Sequence, residues 1–287
     1  MWQFMFMLTQ AIPQARGEDQ RRPWILAVGV LSHSAPKNAE RRSAIRTSWV
    51  PAPRRALFHF VLRCGGLTAN HIVRSESGVL CANEIPATEP RRRGTILTIM
   101  WWLEFALRAY PSVGFIAKAD DDTFVALPSI VSQLEAIPSE AAPHSWYGMF
   151  GYIQLGLRPY RNNTQFSFYG WQEGRPRLPD NRPWVVRERR RLCGTATRGG
   201  QCFDPFPMAL GPFYALGRGA VHALIGAPGL TAELAQLARL AADNPVFYDD
   251  QWLGYAYHRL VGTRSPMRLF ALNPEWNRLY IDVRGSP

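Results

Sequence analysis

The chain has 287 residues, 47% of them hydrophobic and 12% aromatic, enough for a large α/β core and too apolar for disorder along most of its length. Its net charge of +11 invites a nucleic-acid or membrane-surface reading, yet Lys37 and Lys118 are the only lysines among 33 Lys and Arg residues. Such a ratio reads as coding bias rather than as a phosphate-binding face, so Arg91–Arg93 and Arg187–Arg191 are taken as solvated loops and no nucleic acid is expected as a partner.

Residues 2–8 (WQFMFML) are strongly apolar but far short of the ~20 residues that cross a bilayer, and they lack a basic leader and a cleavage site. With the polar linker that follows, residues 1–22 read as a membrane anchor truncated at its front or as a sticky tail; residues 23–287 read as one domain. Residues 24–31 (WILAVGVL) form a buried strand, followed by a loop rich in Ser, His, Pro and Asn and by an arginine-rich segment, residues 41–49. Residues 57–62 (LFHFVL) are a second strand. Residues 95–110 are the clearest helix, with Ile96, Met100, Leu103 and Leu107 at helical spacing and Pro111 ending it. The apolar run 113–119 (VGFIAKA) is a third strand, tipped by Asp120-Asp121-Asp122. A short apolar extension and a helix over 127–137, with Pro128 in its first turn, come next.

This βαβ rhythm implies a mostly parallel sheet with helices on both faces and a ligand site at the carboxyl ends of its strands. After a strand over 146–153 the pattern loosens until about 205, as in a substrate-covering or acceptor region. Order returns with 208–216 (MALGPFYAL), helices over 219–225 and 231–242 (Thr231 a capping candidate), and an amphipathic run over 252–261.

Three adjacent acids at a strand tip are not core, because unpaired buried charge is prohibitively costly. They either hold a hard divalent cation, which in turn holds a diphosphate, or cap a helix or an Asp-rich turn. The D-x-D-x-T pattern of haloacid-dehalogenase phosphatases does not fit, since Thr123 falls one place early and Phe124 occupies the required position. Asp249-Asp250 would complement the dipole of the helix that follows; among Phe247, Tyr248 and Trp252, one of them would also serve as a general base. Arg42 and Arg46, one helical turn apart, form either a solvated face or a contact for a nucleotide diphosphate. Cys64, Cys81, Cys193 and Cys202 contain no C-x-x-C pair, which argues against structural zinc. A Cys193–Cys202 disulfide would close a Gly-rich loop and leave Cys64 with Cys81; buried free thiols are the alternative. Asn162-Asn163-Thr164 is an N-glycosylation acceptor if the chain is secretory.

Taken in order, the motifs R-R-x-A-I-R-x-x-W (Arg42, Ala44, Ile45, Arg46, Trp49), K-x-D-D-D-x-F-V (Lys118, Asp120–Asp122, Phe124, Val125), P-x-x-x-G-P-x-Y (Pro207, Gly211, Tyr214) and D-D-x-W-L-G (Asp249, Asp250, Gly254) span roughly residues 24–260. They resemble glycosyltransferase family 31, the β-1,3-galactosyltransferases and β-1,3-N-acetylglucosaminyltransferases. The resemblance implies a GT-A-type (Rossmann-like) single domain that transfers a galactose or N-acetylhexosamine from a UDP-sugar to a glycan or glycoprotein acceptor, with inversion, in the Golgi lumen of a membrane-anchored protein. It assigns Asp122, with Asp120, to Mn²⁺ (or Mg²⁺), Asp250 to the acceptor proton, and Arg42, Arg46, Lys118 and Asp121 to the donor, with Asp249 as second acid and helix cap. Strand alternation would put Asp120 and Asp122 on one face and Asp121 on the other. Three departures are visible: the family's Glu-Asp-Val stands here as Asp249-Asp250-Gln251, its G-D-I and N-L-T-x-K-T segments survive only faintly as Asn83-Glu84-Ile85 and Gly94-Thr95-Ile96-Leu97-Thr98, and no histidine follows His258. The alternatives are a metal-dependent phosphoester hydrolase and a carbohydrate-binding relative without activity.

Overall fold

The computed structural model describes residues 24–49, 55–64, 76–86, 88–89, 91–153, 156–157, 169–172, 175–176, 201–202, 206–235, 249–262, 267–271 and 280–282. Four strands form its parallel nucleus: β1 (Leu26–Leu31), β2 (Ala56–Arg63), β3 (Val79–Ala82) and β4 (Phe115–Asp120), in the order β3-β2-β1-β4. α1 (Pro36–Ser48) links β1 to β2, and α2 (Arg91–Ala109) links β3 to β4. Beyond β4 the chain continues through β5 (Thr123–Val125), α3 (Leu127–Glu135) and β6 (Ser145–Ile153), then the short pieces β7 (Gly156–Leu157), β8 (Tyr169–Gln172), β9 (Arg175–Pro176) and β10 (Gln201–Cys202). β11 (Phe206–Gly217) then enters the sheet antiparallel between β4 and β6; α4 (Arg218–Ile225), α5 (Asp249–Leu260), β12 (Arg268–Ala271) and β13 (Tyr280–Asp282) complete the described elements.

The result is an α/β fold: a mixed sheet, mostly parallel around the site, with helices on both faces. Side-chain parity shows which helices cover which face. Leu26, Val28 and Val30 of β1, with Phe115, Ala117 and Ala119 of β4, pack on Ile45 and Trp49 of α1 and on Leu127, Ile130, Val131 and Leu134 of α3. Ala27 and Ile116 point the other way, into a second cluster with α2, α4 and α5. Lys118 and Asp120 share the parity of Ile116 and so belong to the α2/α5 side.

α2 begins four residues earlier than helical spacing suggests and carries Arg91 and Arg93 in its first turn rather than in a loop. α5 likewise starts at Asp249. Both acids lie in its first described turn, where the dipole favours negative charge. Of the helix expected over 231–242, residues 230–235 are helical and the remainder lies outside the described residues. Sequence patterning overlooked β3, β12 and β13. β13 pairs antiparallel with β5, so a segment near the C-terminus lies beside the strand that follows the acid triplet.

Cys64 and Cys81 form a disulfide joining the end of β2 to β3. The Cys193–Cys202 pairing and the Asn162 acceptor fall outside the residues whose side chains are described. Among the described residues no helix is long and apolar enough to cross a membrane; the segment 1–22 is not among them.

The centre of the sheet depends on one glycine. The Trp102 indole crosses β1 at Gly29 and donates from Nε1 to the Ala117 carbonyl at 2.8 Å, and a Cβ at position 29 would lie 2.5 Å from its ring. Replacing Gly29 by Ala is therefore expected to cost about 2 kcal/mol through overpacking, read as a lower urea midpoint with an unchanged slope.

Candidate functional site

A cavity of about 680 Å³ opens at the carboxyl ends of β1, β2 and β4. This is where the nucleus reverses strand direction of travel, from β1 outward to β2 on one side and to β4 on the other, the usual ligand crevice of an open α/β sheet. The loop after β1 supplies Ser32, His33 and Ser34, and α1 supplies Lys37, Asn38 and Arg41. β2 supplies Arg63, α2 Arg91, Thr95 and Thr98, and the acids are Asp120, Asp121, Asp122 and Asp249.

β4 ends at Asp120, so strand alternation does not carry into the triplet, and the expected split of Asp120 and Asp122 from Asp121 is replaced by a turn. Asp121 accepts hydrogen bonds from Ser32 Oγ and Asn38 Nδ2, both at 2.6 Å, and from Arg41 Nη1 at 3.1 Å. The same guanidinium nitrogen stands 3.6 Å from Asp122 Oδ2. Asp121 thus ties the acid tip to β1 and α1, and Arg41 is the α1 arginine that reaches the acids.

Arg42 and Arg46 go elsewhere. Arg42 is 0% exposed; it donates to Glu76 Oε2 at 2.9 Å and Oε1 at 2.7 Å, to Ser32 Oγ at 3.0 Å and to the His33 carbonyl at 2.6 Å. Arg46 joins the same Glu76 at 3.0 Å and lies over the Phe60 ring. Neither lines the cavity. The i, i+4 spacing identified their shared face correctly but not its partner, because Glu76 lies about thirty residues downstream. The same periodicity holds the missed signal: Asn38 precedes Arg42 by one turn, and it lines the site.

On the α2/α5 side, Lys118 is buried. Its ammonium sits 2.7 Å from Asp120 Oδ1 and 3.4 Å from Asp249 Oδ2, and it donates to the Gly211 carbonyl. Burial alone would push the ammonium down, but Asp120, Asp249 and Asp250 outweigh it and hold the pKa well above the ordinary lysine range. β11 loses register between Ala209 and Tyr214, and that irregularity turns the Gly211 peptide toward α5. Its N–H donates to Asp250 Oδ2 at 3.1 Å, and the Gln251 N–H donates to Asp250 Oδ1 at 2.8 Å. Burial, and next the neighbouring Asp249, raise the Asp250 pKa from 3.8 to about 6, against the opposing pull of Lys118 and the two N–H groups. A carboxylate bonded on both oxygens still has lone pairs to accept a proton.

The far wall is cationic. Arg63 donates to the Glu89 carbonyl at 2.9 Å and lies against Gly94, where a Cβ would meet Arg63 Nη1 at 1.9 Å. Burial, then Arg63 nearby, depress His33 and keep it neutral at physiological pH. By contrast His59, bonded to the Tyr110 hydroxyl at 2.6 Å and pushed by burial to about 4, is a neutral core histidine. His258 is exposed on α5.

The donor chemistry of Asp120 and Asp122, hard carboxylate oxygens on one cavity wall, suits Mg²⁺ or Mn²⁺. Among the described residues no three acidic, His or Cys side chains converge to hold a metal by themselves. An ion here would need oxygen ligands from a bound phosphate and water, as is usual for a metal carried with a nucleotide.

No family model matches the chain. Among curated proteins it is 28% identical over 151 residues to β-1,3-galactosyltransferase 6 of Mus musculus, a match covering 48% of this chain and 44% of that protein. A solved glycosyltransferase involved in glycosylation of the major capsid of PBCV-1 aligns with 91% of this chain and 96% of its own, at 12% identity and a TM-score of 0.40. The mannose-1-phosphate geranyltransferase of Thermus thermophilus aligns with 91% of this chain and 76% of its own, at 14% identity and a TM-score of 0.39. At those scores neither structural likeness bears on function. The chain is thus similar over about half its length to a β-1,3-galactosyltransferase, and it spans less than half the length of that protein.

Glu76→Gln tests how the site is held. It removes the charge partner of a fully buried guanidinium, and an expected loss of about 3 kcal/mol would show as a lower urea midpoint. Hydrogen bonds, first from Arg42, hold the Glu76 carboxyl below its usual 4.5. The pair's contribution is therefore complete above the ordinary glutamate range and lost as pH falls through the depressed value, so parent and variant should converge in acid.

Proposed function

We propose that this protein transfers a hexose from a UDP-sugar to a glycan hydroxyl, with inversion and formation of a β-1,3 linkage, and that Asp250 takes the acceptor proton. The observation that carries the reading is the pairing of two differently tuned acidic sites: an acid tip paired with cations beside a basic cavity, and a desolvated carboxylate on α5 raised to about 6. Nucleotide-sugar transfer needs both, one to hold a charged leaving group and one to act as base near neutral pH. The similarity to the mouse galactosyltransferase supports the same substrate class.

In this reading Asp120 and Asp122 hold Mn²⁺ or Mg²⁺ against the donor diphosphate, and the ion, when bound, neutralises charge on the departing UDP. Arg41, Lys37, Arg63 and Arg91 add positive charge along the cavity for the nucleotide. Asp121 fixes the loop after β1 and α1 to the acid tip rather than contacting sugar. The acceptor hydroxyl approaches Asp250. The bond from the sugar C1 to UDP breaks, the bond from C1 to the acceptor oxygen forms, and the hydroxyl proton passes to the Asp250 carboxylate.

The acceptor is recognised by residues 150–205 together with the C-terminal segment that pairs through β13 with β5. Residence in the Golgi lumen, with a membrane anchor at or before the N-terminus, belongs to the same proposal. The Cys64–Cys81 disulfide supports an oxidising compartment.

The test is UDP release from a panel of UDP-sugars, with Mn²⁺ or with EDTA. Turnover of one donor is expected, with loss of at least about 100-fold in kcat for Asp250→Asn while UDP binding is retained. Asp122→Ala should abolish the metal-dependent rate. The base must be ionised, so kcat/KM should rise through about pH 6 and level off above it. Hydrolysis of phosphoesters without sugar transfer would replace this reading with a phosphohydrolase; sugar binding without turnover would replace it with a lectin-like relative.

A further inference from the structure

The glycosyl-transfer reading leaves one buried group without a role. Lys118, which the sequence resemblance assigned to the donor, does not line the cavity and is 1% exposed. It stands instead between the two acidic sites. One ammonium meets Asp120 at the end of β4, Asp249 at the start of α5, and the carbonyl of Gly211 in the irregular part of β11. The N–H of the same residue donates to Asp250 Oδ2 at 3.1 Å. Gly211 is therefore held through both of its flanking peptide groups, by the lysine at the carbonyl after its Cα and by the candidate base at the N–H before it.

We propose that Lys118 is a positioning residue for Asp250: its ammonium fixes the backbone at Gly211, and through that residue's N–H the Asp250 carboxylate, in register with the acid tip of β4. The proposal rests on the reading of Asp250 as the base. Three features of the chain support it. Lys118 is one of two lysines in a chain whose other basic residues are arginines. A lysine converges three donors on one point, whereas the planar fork of arginine cannot direct its N–H groups at three acceptors from three elements at once. The second is strand parity, which sends Lys118 and Asp120 to the α5 side together, so the contact is built into β4 rather than borrowed from a loop. The third is the surroundings of Gly211, where the atoms nearest to an added Cβ are Asp250 Oδ2 at 3.6 Å and Lys118 Nζ at 3.9 Å, the same two groups that bond its backbone.

The consequence is a separation of effects. Removing the ammonium should free the base; it also takes one cation from Asp120, whose partners at the ion site remain Asp122 and the donor, so the loss should fall chiefly on kcat. A misplacement of about 1 Å at a reacting group costs on the order of 100-fold in rate.

The experiment uses the full chain with Lys118→Met and Lys118→Arg and two readouts. The first is steady-state transfer beside calorimetry of UDP binding in Mn²⁺. Both variants are expected to lose about 100-fold in kcat while donor KM and the UDP dissociation constant stay within about threefold of the parent. Arginine, which keeps the charge, should not rescue. The second readout is amide hydrogen exchange, which does not depend on activity: the Gly211 amide should exchange about tenfold faster in both variants, with the β1–β4 amides unchanged.

Retained kcat in either folded variant, or unchanged exchange at Gly211, would overturn the proposal. So would weakening of UDP binding in proportion to kcat, since Lys118 would then act on the donor. If Lys118→Met does not fold, Lys118→Arg decides by the same two measurements. A parent without turnover, combined with the expected exchange pattern, would remove the transferase reading and leave the clamp in place.

Discussion

Asp120, Asp121 and Asp122 end a central strand at the point where the parallel sheet opens, and three adjacent carboxylates are tolerated there only if cations and donors come to them. Most of the site's surroundings answer that demand. Arg41 comes from α1, Lys118 from β4 itself, and Ser32 and Asn38 from the loop and helix after β1. Because these partners come from α1, the loop after β1 and β4, and Lys118 also meets Asp249 on α5, satisfying the acids also fixes the relative positions of β1, α1, β4 and α5. An electrostatic requirement thereby becomes a geometric one.

The second consequence is a relay of polar contacts beneath the cavity floor. Glu76 holds Arg42, Arg42 reaches Ser32, and Ser32 donates to Asp121. A buried guanidinium without Glu76 would be an uncompensated charge, and without Arg42 the hydroxyl of Ser32 would lose one of its two neighbours. The arginine pair that looked in sequence like a ligand contact is therefore what keeps the ligand-facing residues still, and the contact with the acids falls to their neighbour Arg41. That exchange of roles is the main difference between the motif and its structure.

Much of the architecture follows from local periodicity, which is why it could be read in the sequence. Runs such as 24–31 and 113–119 fix strands, the Ile96–Leu107 spacing fixes α2, and their alternation fixes a parallel nucleus whose ligand edge carries the acids. What could not be read depends on distant pairs. Glu76 with Arg42, Lys118 with Asp249, and Gly211 with Asp250 are separated by tens to more than a hundred residues, and no period in the chain announces them. Short strands failed for a related reason: β3, β12 and β13 are only three or four residues long and take their identity from the neighbour they pair with. The parity argument for the triplet failed one residue past the end of its strand, since alternation is a property of extended backbone and the chain turns at Asp121.

The arginine excess has a structural counterpart at the cavity. Composition alone made Arg91–Arg93 a solvated cluster, and Arg91 is indeed exposed, yet it lines the cavity from the first turn of α2, with Arg63 held close by against Gly94. Exposure to solvent and exposure to a cavity are the same quantity to a surface measure and opposite ones to function. The cavity wall opposite the acids is basic: His33 is kept neutral, and burial first, then the neighbouring Arg91, depress Arg63 against the opposing pull of Glu89. Such mutual repulsion is a standing cost, and an anion spanning the cavity relieves it while meeting the acid tip through a cation at its other end. In the proposed reading, a diphosphate linked to a neutral base and a neutral sugar has that distribution of charge.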